Sequence, residues 1–410
     1  MTDCQFQRFV RTDQEASLSI PELSDGFDPS LPEALFGRMP ISFYTEKVPF
    51  GIYQISLCFT AETDIDELYL FTGRKQLREI CSLKKGERFH AVYYQSAAEI
   101  IPRYHDNVFP VEHLFFTICT ARPEAIQLGE CMAKLVKDSY SSSDEDIFRI
   151  FLCGDSTVTE HSSELPYHPG ACYAAWGQAL PAFLTGKAAI ENQAHCGLTT
   201  EDFRKEGHWE IVLRHIQKGD ICLFQFGHND QKLPHLWPNG EYPKNLIRFI
   251  CEVKEKGGYP VLVTPLGRNI WNSREYLDLL EEHSSCIQTV GRDFHVPVID
   301  LHRYSVTWIK EHGMEVSRNY FHPEDYTHTN EYGACLFAEW IAGELAKIFP
   351  KRLGTVKKRK EFTPPDGLWE ALGQNKVIRG TGRKEKFDQM EKSTAGLLEV
   401  IMEAKKQSER

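Results

Sequence analysis

The apolar run from Ile147 to Cys153 stops at Gly154 and is followed by Asp155-Ser156-Thr157. A run of that kind reads as a buried strand, and Asp-Ser-Thr behind it can cap a helix. A serine hydroxyl therefore stands where a buried strand ends, which is the edge at which open α/β sheets bind their ligands. Taken alone, Gly-Asp-Ser is also an ordinary turn. Its meaning depends on whether the rest of the chain supplies a base and an oxyanion site.

Downstream, β-rich apolar runs at Arg149 to Cys153, Ala188 to Glu191, Ile221 to Phe226, Pro260 to Thr264 and Val296 to Leu301 alternate with helical stretches. The helical stretches are Ala174 to Phe183, Asn245 to Lys256, Arg274 to Phe294 and Glu331 to Ile348. This alternation predicts an α/β fold with a five-stranded parallel sheet flanked by helices on both faces. Upstream the period is different: short strands at Ile41 to Tyr44, Gly51 to Thr60, Glu67 to Thr72, Arg88 to Tyr94, His113 to Thr120 and Ala125 to Val136 predict an antiparallel, all-β sandwich-like domain. Pro21, Pro29, Pro32 and Pro40 mark a leading segment that wraps around it.

The polar, acidic stretch from Ser141 to Asp146 reads as a linker. The expected division is thus an N-terminal β-sandwich over 1–140, a linker over 141–146, a catalytic domain over 147–350 and a C-terminal extension over 351–410. The extension carries a basic run from Lys351 to Lys360, the break Pro364-Pro365, and helical spacing of Phe387, Met390, Leu397, Leu398 and Ile401. It is expected to pack on the body or on another subunit, which keeps a homo-oligomer open.

Composition narrows the function classes. A net charge of -11 and the lack of a basic stripe interleaved with aromatics argue against a nucleic-acid partner. No window approaches 18 uninterrupted apolar residues, so no membrane partner is expected. The N-terminus lacks a basic region followed by an apolar core, which predicts a cytoplasmic location. The 12 cysteines are scattered, several inside apolar runs, and read as buried free thiols. Neither Cys-x-x-Cys nor His-Glu-x-x-His occurs, so no metal and no cofactor is expected.

Three further blocks bear on Ser156. Asn192 to Thr200 follows the second strand, with Gly197 able to bring a backbone amide close to a ligand. Gly227-His228-Asn229-Asp230 follows the third strand, with an Asn amide that can donate to developing negative charge. Asp325-Tyr326-Thr327-His328 precedes the last helix, and its three-residue spacing lets the carboxylate hold the imidazole. Each block alone is an ordinary turn. With strand order 2-1-3-4-5 the first strand lies between the second and third, so Ser156, Gly197 and Asn229 stand side by side at one edge. Trp176, His228, Asp230, Gln231, Arg268 and Trp271 fall on the same edge and are candidate substrate contacts.

These four ordered blocks, with Trp176-Gly177-Gln178, Thr264-Pro265 and Gly333-Ala334 between and behind them, resemble the SGNH/GDSL hydrolase superfamily. More narrowly, Gly154-Asp155-Ser156-Thr157, Gly227-His228-Asn229-Asp230 and Asp325-Tyr326-Thr327-His328-Thr329 are similar to the corresponding blocks of rhamnogalacturonan acetylesterase-type carbohydrate esterases. The resemblance covers about Ile147 to Pro350 and implies a flavodoxin-like SGNH fold. It also implies a catalytic set of Ser156 as nucleophile, His328 as base and Asp325 as its orienter. The oxyanion donors it implies are Ser156, Gly197 and Asn229. The activity implied is removal of O-acetyl groups from a carbohydrate, an acetylated pectic (rhamnogalacturonan) oligosaccharide, through an acyl-enzyme. Alternatives that keep the triad are an acetyl-xylan or lipid esterase, a thioesterase or an acyltransferase. A non-catalytic carbohydrate-binding protein is the alternative of another class.

Overall fold

The strand that ends at Gly154 is buried along its whole length, Phe148–Gly154. Phe148, Ile150 and Leu152 feed one hydrophobic core, while Phe151 and Cys153 feed the other. That is the period of two expected of a strand covered on both faces.

The computed structural model describes residues 3–8, 39–102, 106–138, 146–163, 167–272, 275–322, 325–357, 361–369, 372 and 383–410. The expected linker, Asp146 apart, and most of the proline-bearing leading segment lie outside these. In chain order the strands are β1 (Asp3–Gln5), β2 (Gln7–Arg8), β3 (Met39–Tyr44), β4 (Gly51–Ala61), β5 (Ile65–Thr72), β6 (Gln76–Leu83), β7 (Arg88–Ala97), β8 (Glu99–Ile100), β9 (Phe109–Pro110), β10 (Phe115–Thr120), β11 (Ile126–Leu128), β12 (Met132–Asp138), β13 (Phe148–Gly154), β14 (Ala188–Asn192), β15 (Ile221–Gln225), β16 (Tyr259–Val263), β17 (Trp271–Asn272), β18 (Glu275–Tyr276) and β19 (Val298–Ile299). The helices are α1 (Trp176–Ala179), α2 (Asp202–Lys205), α3 (His208–His215), α4 (Tyr242–Glu255), α5 (Glu281–Asp293), α6 (Leu301–Ser317), α7 (Glu331–Ile348), α8 (Pro350–Leu353) and α9 (Arg383–Ser408).

The parallel strands run in the order β14-β13-β15-β16-β19, which is 2-1-3-4-5 by chain sequence. β13 is therefore flanked by β14 and β15, with Leu152 opposite Asn192 and Gly154 opposite Gln225. This register brings the three strand ends to one edge. Helices α1, α6 and α7 cover one face of the sheet, and α3, α4 and α5 cover the other. Each large side chain buried there contributes about 1.5–3 kcal/mol relative to exposure. Within the second core Phe224 and Phe249 stack at 5.3 Å.

The five parallel strands do not form a sheet of their own, which departs from the sequence expectation. β7 pairs in parallel with β14 at Ile190 opposite Gln95, and the sheet continues antiparallel through β4, β12 and β1. The result is a mixed sheet of ten strands, β11 joining β4 off the main path. A second sheet, β2-β3-β10-β5-β6, lies over its antiparallel part. Both faces of this second sheet are used: Leu68, Leu70, Phe116 and Ile118 point into the β-rich core, whereas Tyr69, Phe71, Leu77 and Cys119 join the core beneath α1 and α7. Two-sided burial explains the unbroken apolar run from Leu68 to Phe71.

Other departures have local causes. β6 carries Arg78 and Glu79 at its centre and gives no clean alternation. α5 starts at Glu281 rather than near Arg274, with Glu281 and Glu282 in its first turn, where acidic side chains suit the helix dipole. In α9, Ile401 and Ala404 pack against Trp237, and Leu397 lies against Ile270 and Tyr326. No helix among the described residues is long and apolar enough to cross a membrane.

Candidate active site

Gly154 closes β13 where a side chain cannot fit: a Cβ there would lie 2.6 Å from Val158 Cγ2 and 2.7 Å from the Gln225 carbonyl oxygen. The chain turns at once, and Asp155 holds the turn. Its Oδ1 accepts from the Thr157 amide at 2.8 Å and the Thr157 hydroxyl at 2.7 Å. Its Oδ2 faces His228 Nδ1 at 3.4 Å. Burial works against charge on Asp155, but His228 and Thr157 outweigh it and lower the carboxyl below its usual range. Ser156 is left at the tip of this turn.

The Ser156 hydroxyl lies 2.7 Å from His328 Nε2, across 172 residues of chain. On the other side of the ring, His328 Nδ1 is 2.8 Å from Asp325 Oδ2. A carboxylate only accepts, so Nδ1 carries the proton and Nε2 is left to accept from the serine. Asp325 Oδ1 is held in turn by the amides of Thr327 at 2.8 Å and His328 at 2.7 Å. Burial opposes the Asp325 charge, yet its bonds to the His328 ring and these amides prevail and bring the carboxyl down to about 2. The Asn330 side chain caps α7 directly behind, accepting from the amides of Tyr332 and Gly333. The base loop is thereby anchored to a long buried helix.

At the same edge, Gly197 has φ +84° and open space where a Cβ would be, so its conformation, not crowding, favours glycine. Asn229 donates from Nδ2 to the Leu198 carbonyl at 3.1 Å and accepts at Oδ1 from Lys232 Nζ at 2.8 Å. Its second N–H remains for another acceptor. Among the described residues, neither the Ser156 nor the Gly197 amide donates to a protein acceptor. A hydroxyl activated by an oriented imidazole beside such donors has the parts that acyl transfer requires.

Residues 152–334 match the GDSL-like Lipase/Acylhydrolase family. The rhamnogalacturonan acetylesterase RhgT of Bacillus subtilis is 33% identical over 214 residues, which are 49% of this chain and 90% of that protein. This chain belongs to the GDSL-like lipase/acylhydrolase family. A rhamnogalacturonan acetylesterase of Emericella nidulans is 22% identical over 213 residues, 46% of this chain and 81% of that protein. Among solved structures, Bacillus subtilis YxiM aligns with a TM-score of 0.48 at 20% identity, covering 76% of this chain and 82% of that one. As a GDSL-like hydrolase, the protein is a serine esterase acting on ester bonds.

Most of the substrate contacts expected at the edge of this GDSL-like hydrolase are instead internal supports. Trp176 is 1% exposed and donates from Nε1 to Gln225 Oε1 at 2.7 Å, locking α1 onto β15. Asp230 is buried and accepts from the Thr200 amide at 2.9 Å and hydroxyl at 2.6 Å. Gln231 donates to the His228 carbonyl at 3.2 Å, and His228 Nε2 donates to the Leu266 carbonyl at 2.9 Å. Arg268 is buried too, donating to the His228 carbonyl at 2.9 Å and to the Thr327 hydroxyl, so it straps the third block to the base loop. Trp271 is half-buried, donates to Asn269 Oδ1 at 2.7 Å and meets Tyr276 edge-on. The strand order placed these residues near the correct edge but could not tell which way their side chains point.

Other residues beside the GDSL-like centre carry no motif in the sequence. His161 is buried and its Nε2 donates to the Ser156 carbonyl at 2.6 Å. Tyr173 stacks on His322 with centroids 3.5 Å apart and meets the His328 ring edge-on at 5.4 Å. The only available signal was proximity in sequence for His161 and Lys232, which follow Ser156 and Asn229 by five and three residues.

Asp278, Glu281 and His302 bring potential metal-ligand atoms within 4.8 Å of one another. His302 Nδ1 lies 3.2 Å from the Pro265 carbonyl and Nε2 lies 3.0 Å from Asp278 Oδ2. Both partners only accept, so in this arrangement each ring nitrogen donates a proton. Burial opposes the resulting charge, but the hydrogen bond and charge of Asp278, with Glu281 and the Pro265 carbonyl, together outweigh it and raise the His302 pKa. The group reads as an ion pair at the start of α5.

Proposed function

We propose that this serine esterase removes O-acetyl groups from a carbohydrate, and that its substrate is an acetylated pectic rhamnogalacturonan oligosaccharide. The observation that carries the chemistry is the relay from Ser156 to His328 at 2.7 Å and from His328 to Asp325 at 2.8 Å. Ser156 Oγ attacks the acetyl carbonyl while His328 Nε2 takes its proton. The tetrahedral oxyanion is held by the amides of Ser156 and Gly197 and by Asn229 Nδ2. His328 returns the proton to the departing sugar oxygen, leaving acetyl-Ser156. Water then gives a proton to His328 as it attacks the acyl carbon, and collapse releases acetate and restores the serine.

The sugar assignment is supported by the named activity of the relatives RhgT and the Emericella nidulans enzyme. The Tyr173–His322 stack beside His328 suits the apolar face of a pyranose. In this reading residues 147–350 form the catalytic unit and 1–140 a β-unit attached to it. All 12 cysteines are free thiols, which supports a reducing, cytoplasmic setting and hence a substrate of oligosaccharide size.

The test is acetate release by the purified protein from acetylated rhamnogalacturonan, homogalacturonan and xylan and from their oligosaccharides. Rhamnogalacturonan oligosaccharides are expected to turn over fastest. Faster release from xylan would reassign the sugar. A preference for octanoyl over acetyl aryl esters would replace the carbohydrate reading with a lipid one.

A further inference from the structure

The hairpin turn between β5 and β6 enters the interface between the second sheet and the catalytic edge, where Arg74 in the turn and Gln76 at the start of β6 both hold a support of the catalytic centre. Arg74 donates from Nε to Glu160 Oε2 at 3.1 Å and from Nη2 to the Asn192 carbonyl at 2.8 Å. Gln76 Nε2 donates to the other oxygen, Glu160 Oε1, at 2.9 Å, and to the Ile190 carbonyl at 3.2 Å. Glu160 belongs to the nucleophile turn, and its side chain is 1% exposed. Both of its carboxylate oxygens are thus held by a segment some 85 residues earlier in the chain, by sequence separations of 84 and 86.

These contacts lead directly to the serine. The residue after Glu160 is His161, whose ring holds the Ser156 carbonyl at 2.6 Å. Asn192, fixed through its carbonyl by Arg74, donates from Nδ2 to the Val158 carbonyl at 2.9 Å. Thr159 donates to the Ala194 carbonyl at 2.6 Å, which ties the same turn to the block that carries Gly197. On the opposite side, Lys75 is fully buried, its ammonium 5.6 Å from the Tyr167 ring centroid. Burial pushes the Lys75 pKa down, and it pushes up to about 7 the carboxyl of Glu331, the first residue of α7, whose Oε2 accepts from the Gly170 amide at 2.7 Å. Glu331 lies three residues after His328 and directly after the Asn330 cap.

We propose that the Arg74–Gln76 segment is a positioning element of the esterase, which sets Ser156 against His328 by gripping the nucleophile turn at Glu160 and the neighbouring strand end at Asn192. The proposal rests on Ser156 being the nucleophile. Buried charges are costly to desolvate, and apolar residues would join two sheets at least as stably. Four directional bonds from Arg74 and Gln76 do something apolar packing does not: they fix the turn's placement. A nucleophile displaced by about 1 Å can lose on the order of a hundredfold in rate.

The experiment compares wild type with Arg74→Met, Arg74→Lys and Gln76→Ala, all as full chains. It measures kcat and KM on an aryl acetate, the second-order rate of labelling by a fluorophosphonate, and Tm. Arg74→Met is expected to lower kcat and the labelling rate together by about 10- to 100-fold with KM within about twofold. Arg74→Lys is expected to restore most of that loss. If Arg74→Met does not fold, Gln76→Ala, which keeps the Arg74–Glu160 pair, carries the test with an expected loss of about three- to tenfold. A folded variant that labels at the wild-type rate, with only Tm reduced, overturns the proposal. Ser156→Ala separates the two layers: if it retains turnover, the nucleophile reading falls, whereas an inert Arg74 beside a dead Ser156→Ala refutes the positioning role alone.

Discussion

Lys232 Nζ lies 2.8 Å from Asn229 Oδ1, and this contact determines which way the Asn229 carboxamide faces. An ammonium only donates, so the amide oxygen is drawn to Lys232 and the NH2 group is turned toward Leu198 and the catalytic edge. Lys232→Met leaves the Leu198 carbonyl alone to hold this orientation, so the amide more readily presents its oxygen to a developing oxyanion. The expected result is a loss of about tenfold in kcat on an aryl acetate, smaller than the roughly 10² to 10³ expected for Asn229→Ala. Wild-type turnover in Asn229→Ala would remove Asn229 from the oxyanion site, and wild-type turnover in Lys232→Met would remove Lys232 from orienting it.

Ser156→Ala deletes the atom that forms the acyl bond. A fall of about 10⁴ to 10⁶ in kcat is expected, together with loss of fluorophosphonate labelling. Steady-state assays on an aryl acetate and gel fluorescence check the two outcomes, and full activity in a folded Ser156→Ala protein would end the acyl-enzyme reading.

The Asp325 carboxyl, at about 2 in the folded protein, lies below its value of about 3.9 in an unfolded chain. Its contribution to stability is therefore complete above about pH 4 and is lost as pH falls toward 2. Asp325→Asn has no such titration. Urea midpoints at pH 5 and pH 3 should show wild type losing more than the variant; equal losses would contradict the carboxylate's place in the relay. At neutral pH, kcat of Asp325→Asn should fall by about 10⁴, because an amide no longer dictates the His328 tautomer.

Asp230 behaves in the opposite sense. Burial pushes its carboxyl up to about 7 despite the two Thr200 hydrogen bonds. The unfolded chain releases this proton first, so stability declines as pH rises from about 4 to 7. Asp230→Asn can keep both Thr200 bonds through Oδ1 and has no proton to lose. Relative to wild type, the variant should gain stability at pH 8 compared with pH 4. A constant difference at the two pH values would rule this out.

The strand ends that form the site were legible because each is a short, mostly apolar run stopped by a turn residue, and because burial on both faces leaves few polar positions in between, Arg149 and Glu191 among them. The Gly154, Gly197 and Asn229 positions followed once the order 2-1-3-4-5 was assumed. The Asp325–His328 spacing was readable for a similar reason, since three residues on a turn share a side. Side-chain direction was not readable: Trp176, Asp230 and Arg268 sit beside the edge yet point inward to Gln225, Thr200 and Thr327. Nor was the join between the two kinds of sheet. It rests on one pairing, Ile190 with Gln95, between residues far apart in sequence, and such a contact leaves no local pattern. The Arg74 and Gln76 bonds to Glu160 were hidden for the same reason, as β6 itself has no alternating period to announce it.

The ten-stranded sheet ends on one side at Asp3–Gln5 and on the other at Val298–Ile299, strands of three and two residues. Neither offers a long row of open backbone groups to a second molecule. β14 would have been a different matter: five residues, Ala188–Asn192, each buried, form the natural outer strand of the parallel half. β7 occupies that position. A chain cut before Phe148 would bare this strand as a sticky template for cross-chain pairing, and its expected fate is aggregation rather than a smaller working enzyme.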